Sequence, residues 1–164
     1  MKKYLLKLNT FSKELGNSTL SRFILIAAII SLTACEYHEL TEADIEGTKY
    51  TFNENQVTAL YQNVSGQTHS IVIADDGTTA ITFTIKNNIA GNYTCANGSG
   101  AQATIFITYD GVQFSTQYAG SSGAIDLITS GNNLIEGTFG GTIKNIDNTY
   151  TISVTNGKFS GRAY

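Results

Sequence analysis

The chain has 164 residues, 41% of them apolar and only 14% charged, against about 25% charged in an ordinary globular protein. Pro and Trp are absent, and there are two Cys and two His. Ten Lys and Arg stand against thirteen Asp and Glu; half of the bases lie in the first 22 residues and the rest are scattered, which excludes nucleic acid as a partner, because a phosphate backbone is held by basic patches.

The first element is an apolar run at 23–32, preceded by Lys2, Lys3, Lys7, Lys13 and Arg22. Its length suits a secretion signal and falls short of the ~20 residues that span a bilayer. Leu32-Thr33-Ala34-Cys35 follows. In order and position these four residues resemble the lipobox of bacterial lipoproteins. The resemblance implies that lipoprotein signal peptidase recognises Leu32, Thr33 and Ala34, that residues 1–34 are removed, and that the Cys35 thiol carries a diacylglyceryl group. One acyl chain holds a protein to a membrane only marginally, at ~0.8 kcal/mol per buried CH₂, and several hold it permanently. The expected location is therefore the bacterial cell envelope, at the outer membrane, with the lipid bilayer as a partner through acylated Cys35. The 130 residues that remain carry five Lys and Arg against twelve Asp and Glu, a formal charge of −7. They suffice for one domain that buries roughly two thirds of its unfolded surface.

Residues 35–47 contain Glu36, Glu39, Glu42, Asp44 and Glu46. The charge density and weak apolar period read as a solvated acidic tether. A sharper reading is an export signal, since surface lipoproteins of Bacteroidota carry acids just after the lipidated cysteine; here Tyr37 and His38 stand where adjacent acids belong. On the tether reading, a chain cut at residue 48 folds as well as the whole.

From residue 48 the period is two. Tyr50 and Phe52, Val57 and Ala59, and Ile81, Phe83 and Ile85 alternate with polar residues, and Tyr61, Ile71 and Ile73 keep the same spacing. Ile105 and Ile107, Val112 and Phe114, Ile125 and Leu127, Ile135 and Phe139, then Ile152 and Val154 continue the pattern. Alternation of β-branched and aromatic residues with Thr, Ser and Gln predicts half-buried antiparallel strands. Asp76-Gly77, Asp110-Gly111 and Asn156-Gly157 predict two-residue hairpin turns. Asn87-Asn88, Gly131-Asn132 and Asp147-Asn148 are further turn candidates. The expected fold is all-β: a single antiparallel β-sandwich or flattened β-barrel of nine to ten strands over 48–164, mostly hairpin-connected. Without Pro, its edges need barrel closure or charges such as Lys86 and Lys144 for protection.

The order of Gly47-Thr48-Lys49-Tyr50-Thr51-Phe52, Gly91-Asn92-Tyr93, Glu136-Gly137-Thr138-Phe139 and Thr155-Asn156-Gly157-Lys158-Phe159 resembles a family of small all-β lipoproteins of Bacteroidota of uncharacterised function. The resemblance implies fold and location and lends no catalytic residue.

Chemistry-bearing residues are few. Cys95 is the one thiol left once Cys35 is lipidated, and no basic residue within eight positions stabilises its thiolate; it reads as a buried structural residue, with His69 as the one base that the fold could bring to it. Asp75, Asp76, Asp110, Asp126 and Asp147 offer oxygen ligands for calcium, but turn chemistry accounts for most of them. Zinc needs more His and Cys than the chain has. Tyr61, Tyr93, Tyr109, Tyr118 and Tyr150 are candidates for a carbohydrate-binding face. Thr82 and Thr84 raise ice binding, which the absence of regular repeats opposes. The expectation is a membrane-anchored, non-enzymatic binding or structural module for a protein or carbohydrate ligand, without cofactor or metal. The alternatives are an envelope inhibitor or immunity protein that neutralises a toxin or protease, and a hydrolase that uses two carboxylates.

Overall fold

The computed structural model describes residues 40–98 and 100–163. The signal segment, Leu32, Thr33, Ala34 and Cys35 lie outside the described residues. Eleven strands follow in chain order: β1 (Leu40–Ile45), β2 (Thr48–Phe52), β3 (Val57–Val64), β4 (Gln67–Asp75), β5 (Ala80–Ile85), β6 (Gly91–Ala96), β7 (Ala103–Tyr109), β8 (Val112–Ser115), β9 (Ser122–Gly131), β10 (Leu134–Asn145) and β11 (Thr151–Arg162). A 3₁₀ turn, Glu54–Gln56, leads into β3. No helix among the described residues is long and apolar enough to cross a membrane.

The sheet runs β2-β1-β11-β10-β8-β7-β5-β4-β3, with β9 and β6 branching from β10. Every ladder is antiparallel. One parallel bridge, from Ala59 of β3 to Ala163 just past the end of β11, brings the sheet round into a nearly closed barrel. That bridge occupies the edge of β3 at Ala59. Strands β2 and β6, paired on one side only, have five and six residues, and short edges recruit foreign strands poorly.

The barrel interior follows from the alternation. Ile81, Phe83, Ile85, Ile105, Ile107, Phe114, Phe139, Ile152 and Val154 are all buried. At the centre, Phe83 of β5 packs across the barrel against Phe139 of β10 at 4.3 Å and Phe159 of β11 at 5.0 Å between ring centroids. The two strands seat these rings reciprocally. Phe139 lies opposite Gly157, and Phe159 lies opposite Gly137. Each ring occupies the space that a side chain on the facing glycine would fill. The Glu136–Phe139 and Thr155–Phe159 pieces are thus two halves of one packing unit.

Four expectations change. First, the acidic tether does not extend to residue 47. Leu40–Ile45 is β1, paired with β11 on one side and β2 on the other. Its acids, Glu42 and Asp44, point outward, while Thr41, Ala43 and Ile45 are buried. Period two held there, disguised by short inward side chains. The domain therefore begins at Leu40 or before, and a cut at 48 removes an inner strand. Second, the strands number eleven because β1 and β6 add to the nine apolar runs. Third, Asn156-Gly157 is no hairpin. It is a β-bulge inside β11, with Asn156 at φ 52° and a register shift between Phe139 and Gly141 on the partner strand; an αL-tolerant pair serves a bulge as well as a turn. Fourth, Asp76-Gly77 is part of a longer loop, in which the Asp76 carboxylate accepts from the Thr78 and Thr79 amides at 2.9 and 2.7 Å. Asp110-Gly111 is a two-residue turn with both φ positive, as are Glu46-Gly47, Ser65-Gly66 and Asn132-Asn133.

The buried phase of β4 is Ser70, Val72 and Ala74. Ile71 and Ile73 lie half-buried on the outer surface, where Ile71 pairs with Leu60 and Thr84, and Ile73 with Thr58 and Thr82.

Candidate functional site

One end of the barrel carries the Glu46-Gly47 turn, the Asp110-Gly111 turn and the connection from β10 to β11. Between them lies a cavity of about 330 Å³, lined by Glu46, Tyr109, Asp110, Val112, Phe114, Tyr150, Thr151 and Ile152. Phe114 and Ile152 are buried core residues, so the floor is apolar. Tyr109 and Tyr150 supply aromatic walls, and Glu46 and Asp110 supply two carboxylates at the rim.

Local chemistry fixes each part. Glu46 takes the left-handed conformation at φ 52°, unusual for a long side chain. Its amide donates to the Ser153 carbonyl at 3.0 Å, and its carboxylate accepts from the Ser153 amide. Those bonds explain a glutamate where Asn or Gly is the ordinary choice. Tyr150 is held by Asn145, a buried residue. The Asn145 carboxamide oxygen accepts from the Tyr150 amide at 2.9 Å, and its nitrogen donates to Thr149 Oγ1 at 3.0 Å. Tyr150 stays 64% exposed, a large aromatic residue kept in water on an ordered backbone. Behind Tyr109, the Tyr50 ring meets it edge-on at 5.9 Å. Hydrogen bonding to Tyr109, burial, and the negative charge of Tyr109, Asp76 and Asp110 hold the Tyr50 hydroxyl above the ordinary tyrosine range. Among the described residues, no Lys or Arg lines the cavity.

A second depression, of about 590 Å³, lies on the outer surface over the bulge. There Glu42 bridges Lys49 at 2.7 Å and Lys158 at 3.4 Å, and the Asn156 carboxamide donates to Asp44 at 2.7 Å. The bond from Lys49, aided by both ammonium charges, holds the Glu42 carboxyl below its ordinary value despite the opposing cost of burial. These polar groups satisfy one another across three strands, which makes this cluster a staple for β1.

The five tyrosines do not form one face. Tyr109 and Tyr150 meet at the cavity. Tyr61 hydrogen-bonds Ser130 and the Leu134 carbonyl, each at 3.3 Å. Tyr93 is buried and donates to the Ile89 carbonyl. Tyr118 sits in the β8–β9 connection. Tyr50 packs against Tyr109, a neighbour that no local pattern marks, because the contact depends on the sheet order. The aspartates also disperse: Asp75 and Asp76 bind loop amides, Asp126 faces outward on β9, and among the described residues no three His, Cys, Asp or Glu converge as a metal site.

Cys95 points inward from β6 and is fully buried. His69 lies on the outer phase of β4, so a barrel wall separates the two. Burial pushes the Cys95 thiol up to about 12. At pH 8 its thiolate fraction falls on the order of 10³-fold below that of a free thiol near 8.5. Iodoacetamide should therefore label Cys95 in the folded protein slower by that order than in urea. Rapid native labelling would show an accessible, activated thiol.

No protein-family model, curated protein or solved structure matches the chain.

Proposed function

We propose that this protein is a lipid-anchored, non-catalytic binding module of the bacterial cell envelope, tethered through Cys35 and using the open end of its barrel to hold a ligand. The observation that carries the binding half is the cavity: an apolar floor of Val112, Phe114 and Ile152, two tyrosine walls, and two carboxylates at an open rim. Barrel mouths with this mix of apolar area and few polar groups are common ligand sites. The lipobox residues Leu32, Thr33, Ala34 and Cys35 support the anchoring half. A second reading, an inhibitor of a basic toxin or protease, draws support from the formal charge of −7 after residue 34, since negative charge steers a basic partner to its site.

Two measurements test the halves separately. Cells fed a labelled fatty acid should lipidate the wild-type chain, and Cys35→Ala should abolish the label and leave an unprocessed precursor. An unmodified Cys35 in the wild type would remove the anchor from the proposal. Pull-down from envelope extracts should capture a partner that Tyr150→Leu releases. A partner retained undiminished by that variant would move the binding surface elsewhere.

A further inference from the structure

We infer that the barrel mouth is built for a positively charged group on an apolar stem, an ammonium or guanidinium carried by a small organic cation or by a basic side chain of a polypeptide. This deepens the binding-module reading and rests on it.

The cavity has two kinds of wall that together select this ligand. Its floor is Val112, Phe114 and Ile152, which offer area only to a desolvated apolar stem. Its sides are the rings of Tyr109 and Tyr150. A tyrosine face carries negative quadrupole charge and attracts a cation placed over it, more strongly when water is partly excluded. Tyr50 packs against Tyr109 in a perpendicular contact at 5.9 Å between ring centroids, which restrains that ring beside the cavity. At the rim stand Glu46 and Asp110, with no lysine or arginine among the lining residues to neutralise them. The contrast lies in the outer depression, where Glu42 is engaged by two lysines. The Glu46 carboxylate accepts from the Ser153 amide and both rim acids are exposed, so a neutral apolar ligand would gain nothing from their charge. An anion would meet them directly. A cation with an apolar stem satisfies floor, walls and rim at once.

Asp110 offers a clean variant. It occupies the first position of a two-residue turn at φ 50°, where Asn is equally at home, so Asp110→Asn removes charge and leaves the turn. Tyr150 offers another. Its backbone is held by Asn145 and its ring is exposed, so the side chain can change without disturbing the core.

The test is a nuclear magnetic resonance titration of the full chain, purified in detergent, with choline and with its neutral isostere 3,3-dimethylbutan-1-ol. N-acetyl-arginine amide and a tri-arginine peptide form a parallel arm. Choline should bind and the isostere should not, and added salt should weaken binding. Asp110→Asn and Tyr150→Leu should each weaken choline about three- to tenfold, and Tyr150→Phe should retain it, because the ring face and not the hydroxyl makes the contact. Tighter binding of the arginine arm than of choline assigns the cation to a polypeptide partner, and the reverse order assigns it to a small molecule. Equal binding of choline and its isostere would overturn the cation assignment while leaving a ligand cavity in place. Absence of all binding, or indifference to Asp110→Asn and Tyr150→Leu together, would also overturn it. The pull-down with Tyr150→Leu judges the wider binding-module reading independently.

Discussion

A chain starting at residue 48 should fail to form the barrel, whereas one starting at residue 40 should retain it. Strand β1 lies inside the sheet, paired through five residues with β11 and through five with β2. Cutting at 48 deletes Ala43 and Ile45, both essentially inaccessible to water, and strips β2 of its partner strand. Phe52, fully buried at the end of β2, then loses the strand that holds it, and Val154 and Phe159 lose their cover on that side. Burying Ile45 contributes roughly 2–3 kcal/mol and Phe52 about as much. Together with Ala43 and the lost ladder, the sum approaches the whole 5–15 kcal/mol that a domain of this size has. Far-ultraviolet circular dichroism and urea titration of the two chains, 40–164 and 48–164, check the expectation. Coincident urea midpoints would show that β1 is dispensable and that residues 40–47 act as a mere tether.

Glu42 adds a pH signature to the same strand. Its carboxyl is held below the ordinary value by Lys49 and Lys158, so the folded state favours the ionised form. The stabilisation is complete above the unfolded carboxylate range near pH 4.5 and is lost as pH falls through the lower folded value. The side chains of Lys49 and Lys158 are well exposed, and salt screens the pair, so the effect is small beside that of the deleted strand.

Why β1 was hidden says how far a sequence of this kind can be read. Where inward residues are large, as in Ile81-Thr82-Phe83-Thr84-Ile85, alternation and burial coincide. In β1 the inward residues include Thr41 and Ala43, and the outward ones include the acids Glu42 and Asp44, so the apolar signal is weak and the charge signal strong. Tyr93 and Cys95 of β6 are buried too, but two residues are too few to mark a strand beside the Asn97-Gly98 loop. At Asn156-Gly157 the dipeptide reports backbone conformation correctly, namely a left-handed residue, and says nothing about whether the chain reverses. The cavity was legible only in its parts. Tyr109, Tyr150 and Asp110 stood out as residue types, but their meeting requires the β7–β8 turn and the β10–β11 connection to share one end of the barrel, a fact of sheet order and not of local pattern. Glu46 and Asn145 carry no local signal; one is an acid in an acidic stretch, the other an Asn at the end of β10.

The second large effect concerns the glycines that seat the phenylalanine cluster. Gly157→Ala should destabilise the barrel by about 3 kcal/mol, the upper part of the range for overpacking a filled core. A Cβ at Gly157 would stand 2.5 Å from the Phe139 carbonyl oxygen and 2.6 Å from the Phe139 ring. Neither approach is tolerable, and the oxygen belongs to the β10 ladder, which cannot yield without breaking pairing with β11. Gly137 is the mirror case: its Cβ would stand 2.3 Å from the Asp126 carbonyl oxygen and 2.6 Å from the Phe159 ring, so Gly137→Ala should cost about as much. Replacing Gly with Ala also restricts the unfolded chain, which offsets these losses by roughly 0.4–1 kcal/mol. The control is Gly111→Ala, where a Cβ meets open space and only the φ of +73° is unfavourable; its cost should be about 1 kcal/mol. Adding Phe139→Leu to Gly157→Ala separates the two clashes. The smaller side chain relieves the ring contact and leaves the carbonyl contact, so the double variant should recover part of the loss relative to the sum of the single ones, and not all of it. Urea midpoints for the five variants, Gly157→Ala, Gly137→Ala, Gly111→Ala, Phe139→Leu and the double Gly157→Ala/Phe139→Leu, decide the matter. A loss at Gly157 no larger than at Gly111, or no coupling with Phe139, would mean that the rings do not depend on the bare glycines opposite them.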